Sequence, residues 1–489
     1  MTIVTLVMLG CIGAGVLVAL VALFARWERT HRQHFAPIGL LALLVIESTL
    51  YADFNNLPRG LFHPGSGSTQ LRLPEIYITL ALLGRLVARG KPTRIGLSAG
   101  LWLAFGVWMV VGVVEGHLYH NHFSQNLYEA KAIVYIVGGY ALAAGVPVRR
   151  YLDTRAFYWL RNLCVAAATM LDLMTIAHVT VSVHIPLLPL QGFGPVGADT
   201  AILYVAIGII YFLREMATGR VHATSVVALV PLLASVLLAQ QRAVLVNEGV
   251  AIAVLLIVLG FVGYGRGVAK RLKVQMGQVV LTLLAAVAIT LAILVTPAAL
   301  NQRPVKIPLD SQIHQLFHSQ GKAESAQDRI NMASSAESLI AGHPIIGWGL
   351  GVEFPFYEAG VRKVQLTPYA HDIVLDLLLR LGIIGLVLYL AALIRLLFDG
   401  LGVWRKHPDP EVAAFALALV AILCGLFADS LLEPVLDEYR LATLLGITMG
   451  FLRSAVTSPR GEVMAGAVRQ RIQKRLPSAN SSNELAEMQ

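Results

Sequence analysis

Apolar residues run along this chain in uninterrupted blocks rather than in alternation with polar ones. Blocks of about 17–25 residues are long enough to cross a bilayer as helices. They fall near residues 3–25, 37–52, 73–89, 95–114, 127–147, 157–182, 198–214, 222–240, 243–263, 277–299, 373–399, 411–428 and 436–453. A membrane barrel needs a period of two, which these blocks lack. The pattern therefore predicts an all-α polytopic membrane protein of about 12–13 transmembrane helices.

Composition supports the same class. Of 489 residues, 56% are hydrophobic and 14% charged, against about 25% charged in an ordinary soluble domain. Mean hydropathy is +0.69. So little polar surface excludes a soluble enzyme, a disordered scaffold, a coiled coil and a disulfide-stapled secreted protein. Cys11, Cys164 and Cys424 fall inside predicted spans and offer neither a disulfide framework nor metal-ligand spacing.

The net charge of +9 is explained by where the basic residues sit. One set of loops holds Arg26, Arg29 and Arg32, then Arg85 to Arg94, Arg149 to Arg161, Arg214 and Arg220, Arg266 to Lys273, Arg395 to Lys406, and the tail from Arg453. The segments around 115–126, 184–197 and 428–436 hold no Lys or Arg. The positive-inside rule makes the first set cytoplasmic, with the N-terminus outside and the C-terminus inside. Nucleic acid is not needed to explain the basic balance; the lipid bilayer is the expected partner.

Four regions are expected: an N-terminal transmembrane bundle (1–299), an external loop with short helices (300–370), C-terminal transmembrane helices (371–455) and a basic cytoplasmic tail (456–489). Within the loop, Ser325 and Asp328 suggest a capped helix ending near Gly342 and Pro344, with Met332, Ala336, Leu339 and Ile340 as its apolar stripe. The Gly-rich turn Gly347-Trp348-Gly349-Leu350-Gly351 follows. Thr367-Pro368 is expected to open the next helix, placing His371 in its first turn. The tail near 460–476 reads as a basic amphipathic helix on the lipid surface.

Several residues have the chemistry of a site. His371 at a helix start is disfavoured as an imidazolium and suits a proton acceptor, or simply an interfacial hydrogen bond. Asp376 and Arg380 are spaced to pair. Arg242, at the junction of two spans, can snorkel to lipid phosphate or be aimed at a phosphate-bearing head group. Arg329 is either a solvated charge or a second cation of the same kind. His117, His120 and His122 fit no standard zinc spacing. Glu129 and Lys131 are expected to pair locally. Asp429, Glu433, Asp437, Glu438 and Arg440 can line a polar cavity or form a solvated rim.

Taken together, the basic residue between spans, the arginine-bearing loop helix, "HPIIGWGLG" (343–351) and "HDIVLDLLLRLGIIGLVLYL" (371–390) resemble the O-antigen ligase and Wzy-type O-antigen/exopolysaccharide polymerase superfamily. The final element carries the likeness at His371, Leu375, Gly382, Ile383, Gly385 and Leu386, with Asp372 where the pattern usually has Asn or Ser. The resemblance implies a GT-C-like bundle with one long periplasmic loop in the bacterial inner membrane. It implies a metal-independent glycosyltransferase, with no cofactor, that polymerises undecaprenyl-diphosphate-linked repeat units of a surface polysaccharide. A ligase moving the glycan to lipid A-core or to a protein is the alternative, and a lipid-linked glycan flippase the second. Arg242 and Arg329 would hold the diphosphate and His371 would act at the acceptor hydroxyl. Asp372, Trp348, Gly349, Glu433 and Asp437 would contact substrate. A chain-length regulator or other polysaccharide assembly protein is an implied partner.

Overall fold

The computed structural model describes residues 18–27, 29–30, 32–53, 72–88, 97–181, 198–218, 223–239, 242–259, 323–358, 362–368, 370–433, 436 and 438–457. Among these residues the structure is 82% helical, in fourteen helices. These are α1 (Val18–Trp27), α2 (Phe35–Asp53), α3 (Leu73–Val87), α4 (Leu97–Leu118), α5 (Phe123–Ala143), α6 (Val148–Asp153), α7 (Arg155–Val181), α8 (Ala198–Thr218), α9 (Ala223–Leu238) and α10 (Arg242–Ile257). Then come α11 (Ala323–Ile340), strands β1 (Phe354–Glu358) and β2 (Lys363–Thr367), α12 (Ile373–Lys406), α13 (Pro410–Ser430) and α14 (Tyr439–Thr457). Among the described residues, four stretches are long and apolar enough to cross a membrane: Gly100–Leu118, Asp199–Thr218, Ile373–Lys406 and Pro410–Ser430. The chain is an all-α polytopic membrane protein with one small hairpin. The expected span at 277–299, the start of the first span and the basic tail helix lie outside the described residues.

Helix α13 is the centre of the bundle. Asp409 caps it through Glu411 N–H (2.9 Å), Pro410 follows at the first position, and apolar residues cover every face. It packs against α8, α10, α12 and α14. Helix α14 lies against α5 in backbone contact. A Cβ on Gly139 would meet the Thr443 carbonyl oxygen at 2.8 Å, and one on Gly446 would overlap the Ile136 carbonyl. Small residues permit such approach where packing, not water, drives helix association.

Helix α12 is broken near its N-terminal end. Gly382 adopts φ 63°, ψ −171°, a conformation essentially reserved for glycine. A break in lipid exposes backbone groups that cost several kcal/mol each if unpaired. The Gly-rich turn supplies the replacements. The carbonyls of Leu379 and Arg380, which an unbroken helix would pair with Ile383 and Ile384, accept instead from the N–H of Trp348 (2.8 Å) and Gly349 (3.0 Å). The freed N–H groups of Ile383 and Ile384 donate to the carbonyls of Pro344 (2.9 Å) and Ile345 (3.4 Å). Trp108 Nε1 donates to the Leu381 carbonyl at 2.9 Å.

The sequence pattern predicted helices alone between α10 and α12, and the structure corrects this. Strands β1 and β2 pair antiparallel, with Phe354 opposite Thr367. Phe354 and Phe356 point inward while Pro355 and Tyr357 point out, an alternation that five residues are too short to declare against the helical background. The expected stripe on α11 packs on this hairpin and on α12: Ala336, Phe354, Ala370 and Leu379 are buried together, with Met332 and Trp348 at their edge. Helix α11 already begins at Ala323, so Ser325 lies within it rather than capping it.

The helix expected at Thr367-Pro368 starts later. Thr367 ends β2, and Asp372 caps α12 by accepting from Val374 N–H at 2.7 Å. His371 therefore precedes the cap instead of lying in the first turn.

Replacing Gly382 with Ala puts a Cβ into the Ile345 carbonyl at a backbone conformation closed to alanine. We expect Gly382→Ala to cost about 3 kcal/mol, read as a lowered unfolding temperature of the purified chain in detergent.

Candidate functional site

Three stretches far apart in sequence meet at one end of the bundle. Arg329 lies on α11, His371 in the link between β2 and α12, and Glu433 in the turn after α13. That turn is set by the Asp429 carbonyl, which accepts from the N–H of Leu432 (2.8 Å) and Glu433 (2.9 Å). Arg329 donates through Nη2 to Glu433 Oε1 (3.0 Å) and through Nη1 to the Leu432 carbonyl (3.2 Å). His371 Nδ1 stands 3.4 Å from Glu433 Oε2. The side chains of Arg329, Glu433 and His371 are 43%, 37% and 27% exposed, so the group faces outward. Burial pushes the Glu433 carboxyl up, but His371 and Arg329 outweigh it and leave the group below its ordinary value.

Beneath this lies a buried ionic cluster. Arg380 is 4% exposed, Glu129 2% and Asp376 3%. Arg380 contacts Asp376 Oδ1 at 3.1 Å and Glu129 Oε2 at 3.4 Å. The expected Asp376–Arg380 pair is present. The expected Glu129–Lys131 pair is not: Lys131 pairs with Glu75 at 3.3 Å. Residues 129 and 131 are two apart on α5, and such positions do not face each other on a helix.

The other expected site residues have varied surroundings. Asp372 is committed to capping α12. Trp348 is half-buried, its Nε1 donating to the Leu339 carbonyl (2.8 Å) and its ring 4.1 Å from that of His343. Gly349 is buried against Gly116 on α4 with its N–H given to Arg380. Arg242 is the first residue of α10, at the same end as the Arg329 group; its side chain and Asp437 lie outside the described residues. Among the described residues, no group of three or more His, Cys, Asp or Glu side chains is arranged to hold a metal ion.

Three charges that sequence reasoning passed over, Asp199, Glu47 and Arg72, line the same end beside Arg440. Arg440 pairs with Asp199 at the start of α8. Tyr439 donates to Glu47 Oε1 (2.9 Å), and Arg72 lies 4.0 Å over the Tyr439 ring. Glu47 within a predicted apolar span was the available signal, because charges inside spans rarely lack a task. The opposite end carries its own network, Arg149 and Arg214 joined through Glu411 at 2.8 and 3.0 Å.

Residues 227–390 match the family model Wzy_C, O-antigen ligase. The match takes in α10, α11, the hairpin and the broken part of α12. No curated protein matches the chain.

Glu433 gives a pH signature. A carboxyl lowered in the folded state adds stability that is complete above the unfolded-state value, about 4.3, and lost as pH falls through the lower folded one. Unfolding temperature followed against pH should place Glu433→Gln below the parent at neutral pH, with the gap closing toward acid. A gap independent of pH contradicts the ionic link.

Proposed function

We propose that this chain, with an O-antigen ligase family region over residues 227–390, is a glycosyltransferase of surface polysaccharide assembly. In this reading it polymerises lipid-linked repeat units at the periplasmic face of the bacterial inner membrane. The observation that carries the proposal is the meeting of Arg329, Glu433 and His371 at one outward-facing point.

The chemistry follows from these groups. Transfer from a polyprenyl diphosphate needs positive charge on the departing diphosphate and a base for the attacking hydroxyl. Arg242 and Arg329 supply the guanidiniums, whose planar donors suit phosphate oxygens. Glu433 Oε2, 3.4 Å from His371 Nδ1, favours the tautomer protonated there, leaving Nε2 to accept a proton. The acceptor oxygen bonds to the anomeric carbon as the bond from that carbon to the diphosphate oxygen breaks. Its electron pair leaves on the diphosphate, and the hydroxyl proton goes to His371 Nε2. Trp348 and Asp437 keep their proposed place beside the glycan, while Gly349, buried against Gly116, acts by holding the turn.

An apolar cleft between α8, α9 and α10 suits the isoprenoid chain of such a donor. Val205, Gly208, Phe212, Leu232 and Leu255 line it, with no polar surface. Pro231 interrupts α9 beside it and removes an N–H from the ladder. The lining on α10 begins ten residues beyond Arg242, about 15 Å along the helix.

The family description favours a second reading, a ligase that moves the finished glycan to another acceptor. Incubating the purified chain with defined lipid-linked repeat units separates the two. Ladders of increasing length support polymerisation, and a donor consumed only when a lipid A-core acceptor is added supports ligation. His371→Ala, Arg329→Ala and Arg242→Ala should each lower transfer at least about 100-fold while the chain still folds. Unchanged product in His371→Ala removes the histidine from the mechanism.

A further inference from the structure

His371 belongs to neither of the elements beside it. The hairpin ends at Thr367 and α12 begins at Ile373 with Asp372 as its cap, so His371 itself lies in neither the sheet ladder nor the helix. Two bonds bracket the segment just before the histidine. Arg380 Nη2 donates to the Pro368 carbonyl at 2.8 Å, and Asp376 Oδ1 accepts from Ala370 N–H at 3.3 Å. The same Arg380 and Asp376 form an ion pair at 3.1 Å. Arg380 Nε also faces Glu129 Oε2, which accepts from the N–H of Gly351 at 2.8 Å. One guanidinium thus ties the His371 segment to the Gly-rich turn and to α5.

We propose that Arg380, with Asp376 and Glu129, is the positioning residue for His371, holding the imidazole at the level where it meets Glu433 and Arg329. The proposal rests on the reading of His371 as a site residue. Stability alone does not call for this cluster, because buried ion pairs are often matched by neutral or apolar residues of similar volume. A guanidinium spans several partners in fixed directions. Here those partners are a backbone carbonyl of the His371 segment, a carboxylate on its own helix and a carboxylate on α5. The cluster's acids also bind the backbone N–H groups of Ala370 and Gly351, so each member touches a segment that must be placed.

Positioning and simple charge balance predict different behaviour when the cluster is neutralised. Arg380→Met alone strands two buried carboxylates and lowers the unfolding temperature. The triple variant Arg380→Met/Glu129→Gln/Asp376→Asn removes all three charges while keeping oxygen acceptors for Gly351 and Ala370, and its unfolding temperature should return close to that of the parent. The tether to Pro368 is still missing. Diethyl pyrocarbonate modification of His371, followed by peptide mass spectrometry on the full-length chain in detergent, should then rise about tenfold. His407, at the other end of α12, should react as in the parent. Glycan transfer should stay low despite the recovered stability.

Modification of His371 at the parental rate in the triple variant overturns the proposal, as does recovery of transfer together with stability. The labelling measurement does not depend on transfer. A His371→Ala variant with normal product, beside raised His371 labelling in the triple variant, keeps the tether and overturns only the catalytic reading.

Discussion

The site depends on an exchange of hydrogen bonds at the break in α12. A transmembrane helix can be interrupted only if every released backbone group finds a new partner in protein. Here the partners are supplied one for one by the turn at 344–349 and by Trp108. A paired exchange of this kind has a fixed register: sliding the turn by one residue would misalign four bonds together. The short N-terminal piece of α12, with Asp376 and Arg380 on it, is therefore locked against the turn. Helix α11 and the hairpin, which flank that turn in sequence and share an apolar core with α12, are carried with it. The two most distinctive stretches of the sequence, 343–351 and 371–390, are two halves of one backbone structure.

Two kinds of ion pair follow, with different work to do. The cluster around Arg380 is almost fully buried and its partners are set by the fold. The Arg329–Glu433 pair is more than a third exposed on both sides, so water and salt weaken it and the energy of breaking it is small. An arriving anion can take over the guanidinium at little cost, whereas it has no route to the buried Arg380. Burial rather than charge separates the structural arginine from the one open to a ligand.

The helical fold was legible because continuous apolar blocks leave few alternatives in a bilayer. Arg329, His371 and Glu433 were legible as candidates through the family resemblance, although each also had a bland reading as a solvated or interfacial group. Their mutual contact was not legible: residues 329, 371 and 433 come together only through tertiary packing. The Glu129 partner was missed for the same reason, because α5 and α12 are some 250 residues apart in the chain. The hairpin went unread because alternation over FPFYE is weak beside long apolar runs. The start of α12 was misplaced because Pro368 competes with Asp372 as an opening signal. A side-chain acceptor for Val374 decided it, as capping chemistry usually does. Glu47 and Arg72 were visible in the sequence but had no motif to draw attention to them.

Helices α5 and α14 touch backbone to backbone through Gly139 and Gly446. A joint of that sort has no layer of side chains to compress or re-pack, so it behaves as a rigid hinge pin rather than a cushion. The rings of Tyr135 and Tyr439 beside it stand 5.7 Å apart. Elsewhere at this end, α11 and the hairpin meet through a layer of methionine, leucine and phenylalanine side chains. Room for a bulkier ligand is thus to be gained from that side-chain layer and not from the α5–α14 joint.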